Sequence, residues 1–403
     1  LTGTARVVVV GASAAGVATV EGLRRLGFTG RLTLIGEEAD VPYDRPPLSK
    51  QLLSGTWEPE RLRLRSPEAL AALDLDLRLG QRAVALDTGR RQVVLAGGER
   101  VGYDQAVVAT GVRARRLPGT ETCEGVHVLR TLRDALDLRA ALGAGRRLVI
   151  VGGGFIGAEA AAVAGQAGCE VTLVTDTAVP MGTALGTDVG GMLAEVHAEH
   201  GVRLVTGSLV EAVLTQDGRA TGVRLADGRT LEADALLVGI GARPNVEWLA
   251  DSGLPTGDGV ECDAMLYAGN GVWAAGDVAS WPDGATGQRL RVEHRTNAGE
   301  QGLAVARNLL AGRDAATAFT TVPYVWSDQY DLKIQVHGQT RGADEFRVVD
   351  GGLAERRFTA LCGAKGQVCA AVGVNMTKPL RALRPLVAAR TPWPEVSAAL
   401  PSL

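Results

Sequence analysis

The chain has 403 residues, 46% of them hydrophobic, with 53 glycines and a formal net charge of −3. That length exceeds one ordinary core, so two or three domains are expected, and the near-balanced charge excludes a general nucleic-acid-binding field. No apolar run approaches the roughly 20 residues needed to cross a bilayer and no secretory leader is visible, so no membrane role and a cytoplasmic location are expected.

Residues 7–27 read VVVVGASAAGVATVEGLRRLG, a β-branched strand, a small-residue turn and a helix pattern. The turn, Gly11-Ala12-Ser13-Ala14-Ala15-Gly16, differs from G-x-G-x-x-G only at Ser13. Serine on a strand-to-helix turn also suggests a nucleophile elbow. That motif requires G-x-S-x-G, however, and Ala15 stands two residues after Ser13. Ser13 therefore reads as a cradle residue, its small hydroxyl able to bond a phosphate. The next strand, RLTLIG, runs into Glu37, the candidate acid for an adenosine ribose. Further on, Glu60-Arg61-Leu62-Arg63-Leu64-Arg65 is either a solvated face or a dock for an acidic partner.

Residues 148–175, LVIVGGGFIGAEAAAVAGQAGCEVTLVT, repeat the first unit element by element. Gly152-Gly153-Gly154-Phe155-Ile156-Gly157 satisfies the complete fingerprint, and Asp176 falls where Glu37 falls in the first copy. The first glycine makes the tight turn, the second admits a pyrophosphate and the third lets helix and strand close up. The helix N-terminus supplies free N–H groups. One such turn is a weak signal; two in register point to two dinucleotides. The cysteines (Cys123, Cys169, Cys262, Cys362, Cys369) form no C-x-x-C or C-x-x-x-x-C pair, and the five histidines no H-x-x-x-H. A disulfide framework, an adjacent redox dithiol and a metal site are all disfavoured.

Three further stretches resemble the glutathione-reductase-like flavoprotein superfamily. They are YDQAVVATG ending in Ala109-Thr110-Gly111, LLVGIGARPN with Gly241, and VWAAGDV with Gly276-Asp277. Where disulfide reductases of that superfamily carry two cysteines, this chain has Tyr43-Asp44-Arg45-Pro46-Pro47-Leu48-Ser49-Lys50. With LRTLRDA, RVEHRTNAGEQG and PYVWSDQY, that segment resembles the oxygenase-coupled, FAD-dependent NAD(P)H:ferredoxin reductases of the putidaredoxin-reductase-like type. The resemblance spans roughly residues 5–340.

The resemblance implies an α/β fold with two Rossmann-like dinucleotide-binding domains and a C-terminal α+β interface domain. The flavin domain would comprise residues 1–113 and 246–317, the NAD(P)H domain residues 114–245 and the interface domain residues 318–403. It puts Ala15, Glu37, Lys50, Ala83, Arg130 and Asp277 on flavin contacts, with Arg45 reaching the diphosphate and Trp326 near the isoalloxazine. Glu159 would lie by Lys50 and the nicotinamide, a candidate catalytic pair.

Arg295 stands where relatives carry an apolar or aromatic side chain, so a cation there would either stabilise reduced flavin or face solvent. Thr175 replaces the glutamate that marks NADH preference in relatives. Even so, the Thr175–Pro180 stretch offers no arginine for a 2′-phosphate, so NADH is expected over NADPH. The implied activity is hydride transfer from the nucleotide to FAD, then single-electron delivery to a [2Fe-2S] ferredoxin, by a monomer or homodimer. An NADH oxidase or apoptosis-inducing-factor-like enzyme, and a non-catalytic NAD(H) sensor, are the alternatives.

Overall fold

The structure, a computed structural model, describes residues 4–284 and 286–400. The outermost residues of the first and last expected domains, 1–3 and 401–403, lie outside them. The chain forms two compact units: residues 1–44, 60–113 and 243–321, and residues 45–59, 114–242 and 322–403.

In the first unit a six-stranded sheet runs Tyr267–Gly269, Val272–Ala274, Gln105–Val108, Arg6–Val10, Arg31–Ile35, Asp76–Arg78. All neighbours are parallel except the first pair. The valine-rich first strand is buried on both faces from Val7 to Val10, as a central parallel strand must be. The helix Ala14–Arg25 packs against Arg295–Ala311 through small residues. A Cβ on Gly302 would meet the Ala15 carbonyl at 2.5 Å, so only glycine admits that approach.

In the second unit the parallel order is Arg203–Val205, Glu170–Val174, Arg147–Val151, Ala235–Val238, Val126–His127. The same unit holds an antiparallel five-stranded sheet ordered Tyr324–Gln329, Leu332–Gly338, Gln367–Val374, Arg357–Ala364, Glu345–Gly352. The amphipathic helix Thr377–Ala388 buries Leu380, Leu383, Leu386 and Val387 in one cluster with Leu361, Val368 and Ala371.

Residues 45–59 and residues 322–403 both pack in the second unit. Apolar burial explains the latter. Leu185, Val189, Leu193 and Val196 on the helix Gly182–Glu199 share one core with Ile334, Val336, Phe358 and Val372. Buried bonds to Glu159 explain the former, as described next.

Candidate functional site

Each parallel sheet has a point where strand order reverses, and both glycine turns lie there. In the first unit Val10 is level with Ile35 and Val108, and Val108 with Ala274, so Gly11, Gly36, Ala109 and Ala275 leave the sheet at one edge. In the second unit Val151 is level with Val174 and Val238, so Gly152, Thr175 and Gly239 do the same. This is where open α/β sheets bind ligands.

The two turns share one backbone solution. Gly11 (φ 118°) and Gly152 (φ 111°) take conformations that L side chains rarely adopt. A Cβ on Gly11 would meet the Ala109 carbonyl oxygen at 2.0 Å, and one on Gly152 that of Gly239 at 2.3 Å. A Cβ on Gly16 or Gly157 would sit 1.9 Å from the carbonyl of the first glycine in its own turn. The helices that follow, Ala14–Arg25 and Phe155–Gln166, start at Ser13 and Gly154 with no side-chain cap and no acidic residue in the first turn. By contrast, the helix Leu132–Ala141 closes its start with a full Thr131–Asp134 capping box. Uncapped N-termini with positive dipole ends fit anionic phosphate at both turns.

In the first unit Ala109-Thr110-Gly111 is clasped by Asn245. Its side-chain amide donates to the Thr110 carbonyl (2.8 Å), its backbone N–H to that of Gly111 (3.0 Å), and Thr110 Oγ1 donates to its carbonyl (2.9 Å). Gly276 (φ 80°) donates its N–H to buried Gln301 Oε1 at 2.7 Å, fixing the Gly276-Asp277 turn. Close by, Gln301 Nε2, Asn297 Oδ1 and His294 Nδ1 are buried without a hydrogen-bond partner among the described residues. Burial pushes the His294 imidazole down to about 4. Orphaned polar atoms beside a glycine turn fit a polar ligand such as the FAD implied above.

Glu37 is exposed at its strand end, 3.6 Å from Arg82. Arg295 is part-exposed and ion-pairs with Asp44. Ala83 lies on the strand Ala83–Asp87. Arg65 pairs with Glu21, which offsets part of the arginine cluster.

In the second unit a cavity of about 560 Å³ opens over the turn. Its walls include Gly152, Gly154, Thr175, Asp176, Met181 and Gly241. Gly241 has φ 90°, Asp176 is exposed, and Thr175 is buried with its hydroxyl bonded to Thr177 at 2.8 Å. The half-buried Phe155 packs into the apolar core shared with the C-terminal sheet, while Ile156 is exposed.

Lys50 Nζ lies 2.8 Å from Glu159 Oε2, both side chains more than nine-tenths buried. Ser49 donates to the same oxygen, and Ser327 donates to Oε1 at 2.6 Å. Arg45 donates to the Arg130 backbone carbonyl at 2.5 Å. Trp326 is half-buried and stacks on Tyr324, ring centroids 5.9 Å apart.

Sequence reasoning picked out Lys50 and Glu159 and left Ser49, Asn245, Gln301 and Ser327 without roles. Each of these four stands inside a motif quoted above, yet a motif does not state which oxygen a side chain reaches. Among the described residues no group of three metal-ligating side chains assembles, no helix is long and apolar enough to cross a membrane, and all five thiols are free.

Residues 5–302 match the family model for pyridine nucleotide-disulphide oxidoreductases, and residues 324–402 that for the reductase C-terminal domain. The chain is 35% identical over 388 residues to rhodocoxin reductase of Rhodococcus erythropolis, spanning 96% of this chain and 90% of that protein. It is 37% identical over 385 residues to the ferredoxin–NAD(+) reductase component of the anthranilate 1,2-dioxygenase system of Burkholderia cepacia, covering 95% and 94%. The crystal structure of the covalent putidaredoxin reductase–putidaredoxin complex matches with a TM-score of 0.92 at 32% identity, covering 99% of both chains.

Proposed function

The chain belongs to the pyridine nucleotide-disulphide oxidoreductase family, and on that premise we propose that it is the flavoprotein reductase of an oxygenase system. It takes hydride from NAD(P)H onto FAD and passes single electrons to a [2Fe-2S] ferredoxin. The observation that carries this reading is the pair of uncapped glycine turns, one in each unit, in a sequence with no C-x-x-C or C-x-x-x-x-C pair. Relatives of near-equal length named as ferredoxin–NAD(+) reductase components support the same acceptor.

Bound flavin supplies the conversion of a two-electron hydride into single electrons. The chain's own residues grip, orient and fix charge. The first turn (Gly11, Ser13, Ala14, Ala15, Gly16), with Glu37, Ala109 to Gly111 and Gly276-Asp277, holds the flavin nucleotide. The second turn (Gly152 to Gly157), with Asp176 and Gly241, holds the nicotinamide nucleotide. Lys50 and Glu159 keep a fixed ammonium–carboxylate pair in the nicotinamide-binding unit, while Asp44 offsets the charge of Arg295. NADH is the favoured donor: Asp176 stands at the strand end, and the Arg229 guanidinium, which reaches Ser208 at the cavity wall, is bonded to Asp227.

The test compares NADH-driven reduction of a [2Fe-2S] ferredoxin with oxygen uptake, and repeats both with NADPH. Ferredoxin reduction outpacing oxygen uptake, faster with NADH, is expected. Oxygen uptake that ferredoxin does not divert would make the chain an oxidase. Spectral change without turnover on any acceptor would make it a sensor.

A further inference from the structure

Behind Glu159 the second unit buries a chain of polar side chains that the reading above does not use. Ser327 Oγ, which donates to Glu159 Oε1, accepts from Gln329 Nε2 at 3.1 Å. The second proton of that amide points at Met181 Sδ, 3.0 Å away. Met181 in turn donates its backbone N–H to the carbonyl of Gly153, inside the glycine turn, at 2.7 Å. On its other side Gln329 Oε1 lies 3.1 Å from His197 Nε2, and His197 Nδ1 lies 2.9 Å from the Tyr330 hydroxyl. Gln329, Ser327 and His197 are each at most 1% exposed.

The direction of every bond follows from Glu159. A carboxylate only accepts, so Ser327 gives it its proton and must accept from Gln329. That places the Gln329 carbonyl toward His197, which must then donate through Nε2–H and accept from Tyr330 at Nδ1. Burial keeps the imidazole neutral, pushing it down to about 4 against the opposing bond to Gln329. His200 also stacks on Tyr330, with ring centroids 3.8 Å apart. Lys50 faces the chain from the far oxygen of Glu159. Asp328, between Ser327 and Gln329, alternates to the opposite face of its strand.

We propose that Gln329, oriented by the Nε2–H tautomer of His197, is a positioning residue of the nicotinamide-nucleotide site, fixing Glu159 through Ser327 and the glycine turn through Met181. This rests on the reading of Glu159 as a working group of that site. Gln329 is the fork: its amide holds both arms, and its own rotamer is set by histidine and tyrosine from behind.

The test uses flavin-loaded enzyme and anaerobic stopped-flow reduction by NADH, with melting temperature and flavin content recorded for each variant. Ser327→Ala removes a donor from the carboxylate, and the limiting rate of flavin reduction falls about tenfold with nucleotide affinity little changed. Gln329→Leu gives the same loss of rate and, through loss of the Met181 arm, weakens NADH binding about tenfold. His197→Phe lowers the rate, whereas His197→Gln, which keeps a donor for Gln329, restores it. If Gln329→Leu does not fold, His197→Phe against His197→Gln carries the test.

Wild-type limiting rates in all these variants would overturn the proposal even if melting temperatures fall. So would a His197 found by ¹⁵N NMR as the Nδ1–H tautomer. Glu159→Gln separates the two levels. If it reacts like wild type, the reading of Glu159 fails; if it slows flavin reduction while Gln329→Leu and His197→Phe leave the rate unmoved, only the present proposal fails.

Discussion

The first and second glycine turns set the same carbonyl against the same glycine, 2.0 Å from the Cβ that Gly11 lacks and 2.3 Å from the one that Gly152 lacks. What surrounds them differs. The first is backed by two further clasps, Asn245 on the Ala109–Gly111 turn and Gln301 on Gly276, with orphaned polar atoms close by. The second opens into one cavity walled by the turn itself, by Thr175-Asp176 and by the partly exposed Leu209 and Ile240. On the function proposed above, like turns with unequal surroundings would separate a nucleotide that stays from one that comes and goes.

Substituting the two glycines breaks this comparison most sharply. Gly11→Ala forces a side chain into the Ala109 carbonyl at positive φ, and the protein is expected to purify with little or no flavin, read as visible absorbance per chain. Gly152→Ala is expected to keep its flavin and weaken NADH binding by about 10- to 100-fold, the equivalent of 1–3 kcal/mol of strain. The reverse pattern would exchange the roles of the turns.

Lys50→Met comes next. It leaves a buried carboxylate without its counter-charge, a loss of about 3–5 kcal/mol in ordinary buried pairs, here softened by Ser49 and Ser327. Denaturant unfolding of the holoenzyme measures it, with a fall in the rate of flavin reduction alongside.

Acid pH gives a smaller and graded effect in the second unit. His197 and His337 are buried and pushed down to about 4 by that burial, so the unfolded chain binds their protons first. Stability therefore falls as pH drops from about 6.5 toward 4, with each histidine contributing a slope of up to about 1.4 kcal/mol per pH unit. His197→Phe should flatten that window in a melt series.

The mildest test is Asp176→Arg. It should shift the NADH-to-NADPH ratio of kcat/KM toward NADPH by about tenfold, since an arginine at the strand end accommodates a 2′-phosphate. An unchanged ratio would remove Asp176 from the ribose site.

The twin turns were legible in the sequence because glycine spacing encodes backbone shape locally, and the α/β class followed from β-branched strands alternating with small-residue helices. Lys50 and Glu159 were legible only through resemblance, since 109 positions separate the partners. Three things lay beyond reach for the same reason. Residues 45–59 join the second unit because Ser49 and Lys50 converge on Glu159. Arg295 is neutralised by Asp44, 251 positions away. The Gln329 fork depends on His197, 132 positions away, whose direction of donation is set by a carboxylate two side chains further on. Local pattern carries no trace of such pairings; only tertiary packing creates them.

The central claim is that one chain keeps FAD in its first turn while NADH visits the second. Anaerobic titration of the purified protein with NADH, followed at flavin wavelengths, tests it directly. A yellow protein bleached by about one equivalent of NADH per flavin is the predicted result. A colourless protein that takes up no added FAD, or a bound flavin that NADH and NADPH both leave oxidised, would contradict it.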